Sequence, residues 1–105
     1  MGERTENVID GDLGETLREL IQTIGERRSA DPEQSYTARL LAGPEEKLYK
    51  KVVEEALETV LAAKDDDHDH IRYEMADLLY HLVVLMEKKA ITAAELAGEL
   101  RARMV

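Results

Sequence analysis

Cysteine, phenylalanine and tryptophan are absent from this sequence of 105 residues, and proline occurs only twice. Without cysteine, disulfides and thiolate metal sites are excluded. With four tyrosines as the only large aromatics, the core must be aliphatic. Ala, Leu, Glu, Lys and Arg dominate and few prolines interrupt them, which favours helix. No apolar run approaches the roughly 18 residues of a membrane span and no signal peptide is evident, so a soluble cytoplasmic protein with no membrane partner is expected. Positive charge is outnumbered: 14 Lys and Arg stand against 23 Asp and Glu, for a formal net charge of −9. That balance argues against a nucleic-acid partner. It suits a metal cation, although acidic charge by itself is ordinarily a solvated face.

Hydrophobic residues make up 44% of the chain, enough to fold. A chain this short supports one small core and is marginally stable alone, so a homodimer or higher homo-oligomer is expected. Residues 1–11 are polar and aperiodic and read as a flexible N-terminus. Residues 12–105 show no repeat, linker or second domain. Asp12 suits an N-cap. Leu13, Leu17, Leu20, Ile21 and Ile24 then recur at helical spacing, predicting a helix to about Arg28. Asp31-Pro32 marks a loop. Residues 35–41 predict one or two helical turns that end at Gly43, with Pro44 in the first turn of the next helix. Two longer helices follow, about 44–64 and 67–88, separated by the acid run at 65–70. Thr92-Ala93-Ala94-Glu95 has the form of a capping box and opens a last helix to about Arg101. The expectation is an all-α fold: a small antiparallel bundle of about five helices, completed by homodimerisation.

The two longer helices carry the chemistry. On the first, Glu54, Glu55 and Glu58 share a narrow polar wedge with Lys47, Lys50 and Lys51, while Leu48, Tyr49, Val52, Val53, Ala56, Leu57 and Val60 fill the other side. On the second, Glu74, Asp77 and His81 interrupt a surface that is otherwise apolar around most of its circumference, the mark of a buried helix. Like charges one turn apart destabilise even an exposed helix. In a cleft, carboxylates must raise their pKa or find a cation. An all-carboxylate set suits Mg²⁺ or Mn²⁺. Zinc would want more histidine. A di-iron bundle would want Glu-x-x-His, but Leu78 stands three residues before His81. The acid run fails as a calcium loop, with His70 and Ala76 where Gly and Glu are required. His68 and His70 are therefore read as part of a solvated turn.

The pattern Glu54-Glu55-x-x-Glu58, a spacer, then Glu74-x-x-Asp77 resembles the metal signature of the all-α nucleoside-triphosphate pyrophosphohydrolases. With Ser35-Tyr36-Thr37-Ala38-Arg39-Leu40-Leu41, Lys50-Lys51-Val52-Val53 and Asp77-Leu78-Leu79-Tyr80-His81, it resembles the phosphoribosyl-ATP pyrophosphatase family of histidine biosynthesis over about Leu13 to Leu100. That resemblance implies an all-helical homodimer. It also implies Mg²⁺-dependent hydrolysis of 1-(5-phosphoribosyl)-ATP to 1-(5-phosphoribosyl)-AMP and pyrophosphate. One departure is Ala90, where the family commonly has glycine.

The residues then take expected roles. Glu55, Glu58, Glu74 and Asp77 are metal ligands, with Mg²⁺ reversing the local sign so that a polyphosphate is attracted. Glu54, at the rim, is either a further ligand or the base that orients water. Lys47, Lys50 and Lys51 are phosphate contacts or merely helical partners of the acids. Arg28 can reach a phosphate or complement the end of the first helix. Ser35, Tyr36 and Thr37 bind substrate on the strength of the resemblance, although they would also cap a short helix. His81 either partners Asp77 or is a satisfied buried histidine, and Tyr80 is packing. Two rivals stay open: a related enzyme cleaving dUTP, dCTP or an aberrant nucleotide, and a helical assembly module with no catalysis.

Overall fold

In the computed structural model, which describes residues 8–104, four of the five α-helices begin where a side chain caps them. The elements are α1 (Leu13–Glu26), a 3-10 turn (Arg27–Ser29), α2 (Tyr36–Ala42), α3 (Glu45–Lys64), α4 (His68–Lys88) and α5 (Ala93–Arg101). No strand occurs among the described residues. The expected flexible N-terminus lies largely outside them, and residues 8–12 precede α1 without regular structure. Asp12 caps α1 by accepting from the Glu15 amide at 2.9 Å. Ser35, Asp67 and Thr92 cap α2, α4 and α5 in the same way. At Thr92 both halves of the capping box form: its amide donates to Glu95 at 2.8 Å and its hydroxyl accepts from the Glu95 amide at 3.1 Å. These caps satisfy amides that lack a partner inside the helix.

Three details differ from the pattern. The helix expected to reach Arg28 ends at Glu26 and tightens into the 3-10 turn, a common way to close a helix. Pro44 is the N-cap of α3 rather than part of its first turn. Gly43 follows α2, but its φ of −85° is open to any residue. What requires glycine there is space: a Cβ would lie 2.8 Å from the Arg39 carbonyl oxygen.

Left-handed backbone occurs instead at Asp66 (φ 54°) and Ala90 (φ 57°). Asp66 turns the chain between α3 and α4, and aspartate tolerates that conformation. Ala90 stands just past the end of α4. The Ile91 amide donates to the Met86 carbonyl at 2.9 Å and the Ala90 amide to that of Glu87 at 3.3 Å. This is the Schellman arrangement, with alanine in the position that glycine ordinarily takes.

α3 and α4 form an antiparallel hairpin, α1 packs on α4, and α2 lies against α3, α4 and the 3-10 turn. Ile24, Leu40, Leu48, Val83 and Val84 make the buried core, with Leu20, Ile21, Leu41, Tyr80 and Leu85 packed around it. Lys88 ties α2 to α4. Its ammonium donates to the carbonyls of Leu40, Leu41 and Gly43 at 3.1, 2.8 and 2.8 Å. All three of its protons are thereby used on carbonyls at the end of α2.

The expectation that α4 is buried nearly all round needs correction for the single chain. Met75, Leu79 and Leu82 are exposed on α4, as are Tyr49, Val53, Leu57, Val60 and Leu61 on α3, and α5 buries no residue. The physical reason is supply: one short chain has too few elements to cover two helices that are apolar over so much of their surface.

Candidate active site

The buried residues of α3 are Leu48, Glu55 and Ala62, spaced seven apart and so on one face of the helix. Glu55 thus occupies the seam that packs against α4. Glu74 on α4 meets it, and Glu58, one turn beyond Glu55, completes the set. One carboxylate oxygen from each of Glu55, Glu58 and Glu74 lies within 4.8 Å of the others. Glu74 is fully buried and Glu55 is 5% exposed. Glu55 Oε2, Glu58 Oε2 and Glu74 Oε1 are all buried with no hydrogen-bond partner. A buried carboxylate oxygen without a donor is expensive, and three together are sustained only by protons or a cation. The donor set is all oxygen and convergent, as a hard divalent cation requires. These residues fit such an ion.

The electrostatics agree. Burial above all, then the adjoining Glu74 carboxyl and the charges of Asp77 and Glu58, push the Glu55 carboxyl up to about 8. Burial and Glu74 raise Glu58 as well. Asp77 lines the same cavity, of about 470 Å³, together with Tyr36, Lys51, Glu54, Glu55, Glu58 and His81. It stands outside the group of three whose oxygens come within 4.8 Å. Glu54 lies at the rim, half-exposed, 4.0 Å from the Lys51 ammonium.

A second layer holds the cavity wall. The His81 ring is buried, and its Nδ1 sits 2.9 Å from the Asp77 backbone oxygen. A carbonyl only accepts, so Nδ1 carries the proton and Nε2 is left to accept from the Tyr36 hydroxyl at 3.1 Å. Burial lowers the His81 pKa, consistent with the neutral ring that this bonding needs. Burial and the nearby Tyr80, Glu55 and Asp77 raise that of Tyr36. Tyr36 also stacks on Tyr80 at 6.3 Å between centroids, and the Thr37 and Tyr80 hydroxyls are hydrogen-bonded. Of the two roles open to His81, the structure displays the satisfied buried histidine, which also steadies the backbone of Asp77. Tyr80 packs as expected and adds a polar contact.

The lysines continue the wall. Lys47, Lys50 and Lys51 line a cavity of about 310 Å³ with Tyr36, Leu40 and Glu54, next to the carboxylates. Lys47 reaches a third cavity of about 360 Å³, bounded by Pro32, Tyr36, Arg39, Leu40, Ala42, Gly43 and Pro44. Tyr36 borders all three. Ser35 spends its hydroxyl on the Ala38 amide at 3.1 Å as the cap of α2. Arg28 is not brought to the site. Its guanidinium donates to the Glu87 carboxylate and to the Glu87 backbone oxygen, both at 2.5 Å, and it lines a different cavity with Ile21, Val83 and Met86.

One contact was missed in the sequence. His70, read as part of a solvated turn, lies 3.0 Å through Nε2 from Glu74 Oε2. The signal was its place one helical turn before Glu74.

An acidic, partly buried cleft between two antiparallel helices, flanked by lysines from one of them, defines the class of all-α nucleotide pyrophosphohydrolases. Within that class the chain belongs to the phosphoribosyl-ATP pyrophosphohydrolase family, whose model matches residues 17–104. It is 45% identical over 87 residues to the phosphoribosyl-ATP pyrophosphatase of Nitrosomonas eutropha, covering 83% of this chain and 74% of the relative. The enzyme of the same name from Rhizobium rhizogenes is 46% identical over 90 residues, 86% of each chain. That of Neisseria gonorrhoeae is 44% identical over 92 residues, 87% of this chain and 86% of the relative.

Proposed function

We infer that this chain hydrolyses 1-(5-phosphoribosyl)-ATP to 1-(5-phosphoribosyl)-AMP and pyrophosphate, in the cytoplasm, with Mg²⁺ held by Glu55, Glu58 and Glu74 and with Asp77 beside them. The observation that carries the reading is the convergence of two buried carboxylates and the partly buried Glu58, each with a buried oxygen that lacks a donor. When bound, Mg²⁺ supplies charge neutralisation for the phosphates and polarisation of the attacked phosphorus. The chain's own residues do the rest. Lys51, Lys50 and Lys47 follow one another along the cleft and bind the phosphate chain. Glu54, at the rim and beside Lys51, orients the attacking water. Tyr36, held by His81 and Tyr80, forms the wall shared by the phosphate cavity and the more apolar cavity at Pro32 and Leu40. Water adds across the anhydride between the α and β phosphates, that P–O bond breaks, and pyrophosphate departs. The catalytic gain is mostly positioning and electrostatic.

The test is pyrophosphate release from phosphoribosyl-ATP by the purified protein with Mg²⁺, beside a panel of dNTPs. One pyrophosphate per substrate is expected, with Glu55→Ala and Asp77→Ala lower by roughly 10²–10³-fold, the range for removing one electrostatic contact to a transition state. Preference for free dNTPs would overturn the substrate. Undiminished turnover in both variants would overturn the site.

A further inference from the structure

We propose that His70 is a positioning residue for the cation site: it holds one oxygen of Glu74 so that the other faces Glu55 and Glu58. The proposal rests on the reading of those carboxylates as a metal site and goes beyond it, since His70 belongs to no part of the sequence pattern that pointed there.

The geometry is built from the cap of α4. Asp67 Oδ1 accepts from the His70 amide at 3.3 Å, which fixes His70 at the third helical position. One turn later stands Glu74, with no exposed surface. The His70 ring bridges that turn, Nε2 to Oε2, at 3.0 Å. A carboxylate accepts, so Nε2 carries the hydrogen. Oε2 is then engaged, while Oε1 stays buried without a donor in the same state as Glu55 Oε2 and Glu58 Oε2. The ring is half-buried, with its side chain 27% exposed, so the contact is sheltered from water along part of its surface.

A buried carboxylate with both oxygens free can rotate or take up a proton, and either removes it from a coordination set. Pinned through one oxygen, it presents the other in a single orientation. This is the work that partners outside the ligand set perform in metal sites, and their removal typically weakens metal affinity by roughly 10–100-fold. His70 differs in kind from His81. His81 bonds a backbone carbonyl and a tyrosine, whereas His70 bonds a carboxylate of the cluster itself.

The experiment titrates Mn²⁺ into the full chain and reads affinity by electron paramagnetic resonance and calorimetry, beside melting curves of the cation-free proteins. Weakening of roughly 10–100-fold is expected in His70→Ala. Most of the affinity should return in His70→Gln, whose amide still donates. A merely structural histidine would lower the melting temperature of His70→Ala and leave the affinity of the folded protein unchanged, which overturns the proposal. Wild-type protein that binds no Mn²⁺ overturns the carboxylate reading and this one together. Wild-type binding matched by His70→Ala overturns this one alone. Nitrogen-15 spectra of the wild-type imidazoles give a test that needs no variant. A ring protonated at Nε2 before and after Mg²⁺ is expected, and a His70 ring bare at Nε2 overturns the assignment.

Discussion

Glu55 shows at the scale of a single residue how burial in the site couples folding to protonation. Its carboxyl is raised from 4.5 to about 8 by burial first and by neighbouring acids second. The folded, cation-free protein therefore holds a proton there that the unfolded chain releases. Stability from this group is complete below about 4.5 and is lost as pH rises through about 8. His81 is lowered, so its own contribution has the opposite sign but is confined to pH below its ordinary 6.5. The melting temperature of EDTA-treated protein should accordingly fall between pH 7 and pH 8.5, and Glu55→Gln should flatten that slope. Mn²⁺ must displace the same proton, so its affinity should be higher at pH 8.5 than at pH 6.5 in the wild type, with the difference reduced in the variant. A level melting profile in the wild type would count against the raised carboxyl. That a wedge of acids must find protons or a cation was legible in residues 54–77. Which acid carries most of the strain was not, because it depends on Glu55 lying on the seam with Leu48 and Ala62.

Among the elements, the exit of α4 carries alanine where the turn it makes ordinarily takes glycine. Ala90 adopts φ 57° within a Schellman turn. A left-handed residue with a Cβ costs roughly 1–2 kcal/mol. Glycine there would remove that cost and add back about 0.5–1 kcal/mol of chain entropy. Ala90→Gly is thus expected to stabilise the protein by roughly 0.5–1 kcal/mol net, read as a higher urea midpoint with unchanged slope. A lower midpoint would show that the turn is not strained. The starts of α1, α2, α4 and α5 were readable in advance, since Asp12, Ser35, Asp67 and Thr92 cap through bonds that span three residues. The anchoring of α2 was not readable. Lys88 reaches carbonyls at Leu40, Leu41 and Gly43, and no spacing rule links positions so distant in the chain.

The whole molecule presents an unfinished bundle. Val53, Leu57, Val60 and Leu61 form one stripe on α3, with Val53 68% and Leu57 57% exposed, and Met75, Leu79 and Leu82 form another on α4. Fully burying an exposed side chain of this kind stabilises by roughly 1.5–3 kcal/mol, and these side chains retain a third to two thirds of their exposure, so covering both stripes favours association. We propose a homodimer in which a second copy packs on the α3–α4 hairpin. Light scattering should return twice the chain mass, and Leu57→Glu should shift it to the monomer with a lower melting temperature. A wild-type monomer at tens of micromolar would sink the proposal. The width of the apolar surface was plain from the sequence, and it led to an expectation of burial that a single chain does not meet.

What the sequence determined by itself is whatever a helix's own geometry dictates. That covers the side-chain caps, the pairing of Glu55 with Glu58, and the one-turn spacing of His70 and Glu74. Tertiary structure decided the contacts between distant positions. It joined Tyr36 to His81 and engaged Arg28 with Glu87, away from the cleft. It gathered Glu74 with Glu55 and Glu58 while leaving Asp77 at the wall. The reason is that a helix's rise and turn are properties of the backbone. The angle and depth at which helices meet are set by how Ile24, Leu40, Leu48, Val83 and Val84 fill one shared core.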